Sequence, residues 1–185
     1  MSYKKIKTIM LCCLFTFAIQ ITVNAQEDER YSRMYNKNVL TGKKWTVNST
    51  VKQKRKKYSE RLDSITIGTQ KIAARAGNKL SVSLTFDKDS LTMMAICEGD
   101  TALTRCAYYL SDKYDHEFDY SKVGKDIMGN IINFQEQVVS NGRMRKKHEA
   151  ARIWEVKDDE IILVMLGVYK KIIRFKAESL KPEDK

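Results

Sequence analysis

Residues 80 to 86 read Leu80-Ser81-Val82-Ser83-Leu84-Thr85-Phe86. Four large apolar side chains alternate with three small polar ones, and a period of two belongs to an extended strand with one buried face. The same alternation, less regular, runs through residues 45–51, 64–70, 91–98, 103–110, 130–138, 152–156, 160–166 and 168–175. Short turn-forming groups separate these runs, among them Asp87-Lys88-Asp89-Ser90, Gly99-Asp100, Ser140-Asn141-Gly142 and Lys157-Asp158-Asp159. Many short strands joined by hairpin turns predict an all-β antiparallel sandwich or barrel. The single proline, Pro182, lies in the tail and breaks none of them. Two segments resist the pattern: residues 71–78 read as a helical turn or a wide loop, and residues 143–151 as a short helix at a rim.

The first 25 residues have a basic start (Lys4, Lys5, Lys7), an apolar run from residue 9 to 21, and Val23-Asn24-Ala25 before the polar Gln26. That is the layout of a cleaved secretory signal, too short and poorly flanked for a membrane span. Cys12 and Cys13 lie within the apolar run without the small residues that lipid attachment needs before them. The expected organisation is therefore a signal peptide over 1–25, a flexible N-terminal arm over 26–38, the barrel over 39–176 and a charged tail over 177–185. Losing the three signal lysines lowers the formal charge from +11 to +8. The mature chain is expected in the periplasm or cell envelope of a bacterium, or secreted, with no transmembrane helix. At that length it has room for one core.

Cys97 and Cys106 remain after export. Two thiols close in sequence in an oxidising compartment normally pair, and if residues 98–105 form a turn with its flanks, a hairpin disulfide is expected.

The stretch Thr41-Gly42-Lys43-Lys44-Trp45-Thr46-Val47-Asn48 carries a resemblance. A glycine followed closely by Trp at the entry to the first strand resembles the bacterial lipocalin-like domains. That resemblance implies an up-and-down barrel of eight strands, with Gly42 and Trp45 at the closed end and a late-strand arginine, here Arg174, lying across the indole ring. The family's spacing is Gly-x-Trp, and this chain departs from it by one lysine. A guanidinium stacked on an indole would gain cation–π attraction while capping strand-end carbonyls.

No nucleophile elbow, phosphate loop or His-Glu-x-x-His motif occurs. His116 and His148 have no partners at metal-ligand spacing. The expectation is no enzyme, no metal and no cofactor. Basic runs are the strongest charge signal: Lys52 with Lys54, Arg55, Lys56 and Lys57; Arg143, Arg145, Lys146 and Lys147; and Lys170, Lys171, Arg174 and Lys176. If the first and last strands are neighbours, the first and third runs approach each other. Such a surface suits an anionic glycan, lipid headgroups or an envelope protein; an exported chain is not expected to meet nucleic acid. The aromatics Tyr108, Tyr109, Tyr114, Phe118 and Tyr120 surround an acidic loop, and alternation lets only one of Tyr108 and Tyr109 face inward. The run from Ile161 to Leu166 is apolar on both faces, so its outer residues Ile162, Val164 and Leu166 need cover. The leading expectation is a binding module holding a small apolar or amphipathic ligand in a cavity lined by Leu80, Val82, Leu84 and Phe86. The alternative is an envelope accessory protein acting through its surface in an assembly or secretion complex.

Overall fold

The alternation of apolar and polar residues becomes a closed ring of strands. The computed structural model describes residues 32–52, 64–73, 79–166 and 171–179. Met1–Arg33 and Met34–Lys185 are separate units, and the barrel belongs to the second. Among the described residues ten strands form: β1 (Lys43–Lys52), β2 (Ser64–Ile67), β3 (Gln70–Ala73), β4 (Ser81–Phe86), β5 (Ser90–Cys97), β6 (Asp100–Ser111), β7 (Ile131–Ser140), β8 (Arg143–Val156), β9 (Glu160–Leu166) and β10 (Lys171–Ser179). Eight of them close in the order β1-β10-β9-β8-β7-β6-β5-β4, every pair antiparallel. β2 and β3 form a separate hairpin between β1 and β4 in sequence. Closure leaves no permanent edge at the β1–β10 junction, where a sheet would otherwise expose unpaired backbone.

The inward side chains form one apolar cluster. Trp45, Val82, Leu84, Phe86, Leu91, Met93, Tyr108, Leu110, Ile132, Phe134, Ile153, Ile161, Leu163 and Phe175 all belong to it. Each such side chain contributes roughly 1.5–3 kcal/mol when fully buried. Tyr108 lies within the cluster and Tyr109 outside it, as the alternation requires. On β9, Ile161 and Leu163 face inward, while on the outer side Val164 is buried beside its cross-strand neighbours Arg152 and Ile172.

Several expectations are corrected. Cys97 and Cys106 are free thiols, both buried, and form no disulfide. The β5–β6 turn is the two residues Glu98-Gly99, both at positive φ, so Cys97 stands opposite Asp100 and Cys106 opposite Leu91. The two cysteines are thus separated by six strand positions, about 20 Å at roughly 3.3 Å per residue, whereas a disulfide needs Cα atoms within about 7 Å. Residues 143–151 are not a helix but the first part of the longest strand, β8, paired with β7 from a two-residue Asn141-Gly142 turn. Lys71–Ala73 is strand rather than helical turn, while residues 74–78 lie outside the described residues. β10 runs to Ser179, so the barrel includes the start of the expected tail. The signal segment 1–25 and the basic residues Lys54, Arg55, Lys56 and Lys57 also lie outside the described residues.

The end of the expected arm is docked. Tyr35 exchanges two backbone hydrogen bonds with Gly129, at 3.0 and 2.9 Å. A side chain at Gly129 would meet the Ser111 backbone at 2.2 Å, so only glycine fits that contact. A 3-10 turn at Lys37–Val39 then buries Lys37, whose ammonium donates to Lys88 O at 2.9 Å and lies 5.1 Å above the Tyr108 ring. Burial holds the Lys37 ammonium below the usual lysine range.

Candidate functional site

Strand β7 crosses the barrel interior from an apolar end to a polar one. Ile132 and Phe134 face inward and are buried, and two residues further on the same face presents Glu136. Its carboxylate accepts a 3.4 Å hydrogen bond from Gly68 N–H, in the turn between β2 and β3. Burial raises the Glu136 carboxyl above the usual range, against the lowering effect of that hydrogen bond, and the charge of Glu149 adds to the rise. Lys147, two residues from Glu149 on β8, forms an ion pair with it.

The β2–β3 hairpin closes this end. It lies against β5 and β6, with Ile67 and Ile72 buried in the same cluster as the barrel interior and Ile65 packed on its margin. Gly68 sits between β6 and β7, where an added Cβ would lie 3.4 Å from both Gln137 O and Thr104 Oγ1. Cys106, also in the cluster, is held neutral: burial and then the nearby Glu136 push its thiol up to about 12. A carboxyl and a thiol therefore lie beneath a hairpin that turns three isoleucines onto the barrel and forms a sheet separate from its ladder.

The four residues expected to line a cavity, Leu80, Val82, Leu84 and Phe86, are all buried in the interior cluster, with Leu84 paired across from Trp45. Trp45 is fully buried and Gly42, at φ +75°, begins β1 just before it. Arg174 is not brought to the indole. Trp45 stands opposite Ala177, whereas Arg174 stands opposite Ser49 and puts its Nε 3.4 Å from Glu160 Oε1 without hydrogen-bond geometry. Lys43 occupies the position expected of the arginine: its ammonium lies 5.3 Å from the Trp45 ring centroid and donates to Asp158 O at 2.7 Å. The basic runs do converge in part, since Lys52 pairs with Lys171 across β1 and β10. Arg143, Arg145, Lys146 and Lys147 are exposed along β8.

A second cluster covers the outside of β6, β7 and β8. Tyr109 Oη donates to Asp115 Oδ2 at 2.8 Å and accepts from Asp119 N–H at 3.2 Å. Lys122 donates to the same Asp115 oxygen at 2.7 Å, and that hydrogen bond holds the Asp115 carboxyl below its usual range. His148 stacks on Tyr114 at 5.6 Å, meets the edge of Phe118, and places Nε2 3.0 Å from Asn133 Oδ1. Asn133 Nδ2 donates to Ser111 Oγ, so its oxygen is left as acceptor and Nε2 of His148 carries the proton. Sequence reasoning placed these aromatics around an acidic loop but gave no sign that His148, on a distant strand, would complete the cluster.

Among the described residues no group of three His, Cys, Asp or Glu side chains is placed to hold a metal, and no helix is long and apolar enough to cross a membrane. Comparison with protein-family models, with curated proteins and with solved structures finds no match to this chain.

Proposed function

We propose that the chain is an exported, lipocalin-like binding module of the bacterial envelope that takes a small amphipathic ligand at the Glu136 end of the barrel. The observation that carries this reading is the inward Glu136 carboxyl, half-buried under a hairpin that packs on the barrel interior through Ile65, Ile67 and Ile72. A ligand's apolar body would replace those isoleucines when the hairpin lifts, and its polar head would bond to Glu136. Eight strands leave room for one small ligand or none, and a ligand held here would rest on Leu80, Val82, Leu84 and Phe86 of the interior cluster as its floor. An apolar site with one or two convergent polar groups suits such a molecule.

Native mass spectrometry of the mature protein, purified gently from its own envelope, tests this. A reproducible small-molecule adduct that Glu136→Leu loses supports the reading. An adduct-free spectrum of the parent protein overturns it. A second reading, an accessory protein that docks on an envelope complex, has its support in the exposed Leu103, Val139 and Met144 beside Arg143, Arg145 and Lys146. A co-purifying protein in the same spectrum would favour it.

A further inference from the structure

The barrel is closed all round, but one of its seams is short. β6 and β7 pair only from Tyr108–Phe134 to Ser111–Ile131, although β6 begins at Asp100 and β7 ends at Ser140. Beyond that ladder, among the described residues, β6 pairs only with β5 and β7 only with β8.

The direction of each backbone group in the parted strands follows from their turns. Residues flanking a two-residue hairpin exchange both hydrogen bonds, and the pattern alternates from there. Cys97 and Asp100 flank Glu98-Gly99, so Asp100, Ala102, Thr104 and Cys106 bond to β5. Thr101, Leu103 and Arg105 therefore turn their amides and carbonyls toward β7. Ser140 and Arg143 flank Asn141-Gly142, so Ser140 and Val138 bond to β8, and Gln137 and Val139 turn toward β6. Three contacts agree with this phase: Tyr108 N–H donates back to Asp89 O at 3.2 Å, Ser111 O accepts from Asn130 N–H at 3.0 Å, and Gln137 O meets the Cβ position of Gly68 at 3.4 Å.

We infer that this seam accepts an extended acidic segment of a partner protein as an added strand between β6 and β7. Facing rows of free amides and carbonyls are what a peptide strand recognises, and alternate side chains then set its specificity. Leu103 and Val139, 63% and 52% exposed, offer apolar contacts on the two sides. Arg143, Arg145, Lys146 and Lys147 are exposed on β8, one strand spacing of about 4.8 Å beyond β7. The added strand would lie two such spacings from β8, about 9.6 Å backbone to backbone, comparable to the roughly 8 Å screening length of physiological salt and within reach of long arginine and lysine side chains. Glu149 already pairs with Lys147, and Glu98 and Asp100 lie at the β5–β6 turn, so Arg143, Arg145 and Lys146 are the cations offered to the strand. A second copy of this chain would bring two basic ribbons together, and a lipid surface would leave the backbone groups unpaired. The tip at Gly68 must withdraw to admit the strand, which breaks its bond to Glu136.

Amide exchange on the mature protein, measured with a capped octapeptide of alternating Val and Glu, tests the inference. Exchange at Leu103, Gln137 and Val139 should slow at least tenfold with that peptide. The effect should be absent with the Val-Lys counterpart and with a Val-Glu peptide N-methylated at alternate positions. Val139→Pro, which removes one seam-facing N–H without touching the β8 ladder, should weaken it; the N-methylated peptide keeps the test decisive if that variant misfolds. Equal protection by the lysine peptide would overturn the inference. So would exchange at Gln137 and Val139 in the free protein as slow as at Tyr109, or protection produced only by vesicles of phosphatidylglycerol. None of these outcomes depends on a ligand inside the barrel.

Discussion

The indole N–H of Trp45 donates to the main-chain oxygen of Leu40 at 2.9 Å, and both residues are fully buried. That bond ties the first barrel strand to the docked segment before it, and makes the ring part of the polar closure of the barrel end as well as of its core.

Two substitutions separate these roles. Trp45→Ala removes the ring and should cost about 3–5 kcal/mol. Trp45→Phe keeps most of the apolar volume but strands the Leu40 carbonyl, and should cost about 1–3 kcal/mol. Urea unfolding of both variants checks the order; a Trp45→Phe midpoint equal to the parent's would mean that the hydrogen bond contributes nothing.

Arg174→Ala should be mild. Its partner Glu160 is met on the outer face at 3.4 Å and the arginine side chain is 43% exposed, so the loss should stay below about 1 kcal/mol. Lys43→Ala should cost a similar amount, about 0.5–1 kcal/mol, through the cation–π contact, and should in addition quench or shift Trp fluorescence. A spectral change at Arg174→Ala instead would return the arginine to the indole.

The cysteines should behave as two buried thiols. Iodoacetamide should leave the native protein unmodified and alkylate both Cys97 and Cys106 after denaturation, because both are buried and the Cys106 thiol is pushed up to about 12. An unreduced mass two daltons below the dithiol value would show a disulfide and contradict the register of the β5–β6 hairpin.

Glu136 gives a pH dependence with a definite sign. Its carboxyl is raised in the folded state, so the folded protein holds this proton more tightly than the unfolded chain does. The group's contribution is fully present below the ordinary glutamate value and is lost as pH rises through the folded value. Glu136→Gln should therefore match the parent in urea midpoint near pH 4 and exceed it at pH 7. A parent that gained relative to the variant on raising the pH would reverse the assignment.

Much of the fold was legible because strand alternation is local. Leu80 to Phe86, the apolar face of β9 and the opposite faces of Tyr108 and Tyr109 all follow from a period of two and are found so. Residues 143–151 were misread because the run RMRKKHEAA has helix-forming composition and little apolar alternation. In β8 its partner β7 supplies the ladder, and the exposed ribbon needs no apolar face. The disulfide expectation failed on a register that a difference of a few residues in turn length decides.

The sequence by itself determined the class: an all-β chain of short antiparallel strands, with Trp45 in the core and a basic surface. Those properties depend on side-chain chemistry and on neighbours a few residues apart. Only the tertiary structure decided what depends on distant segments meeting. It set Lys43 rather than Arg174 over the indole, brought Gly68 to Glu136 across 68 positions of sequence, and parted β6 from β7 beyond Tyr108. Strand register and barrel closure fix those contacts, and register is a property of pairs of strands, which no single stretch of sequence contains.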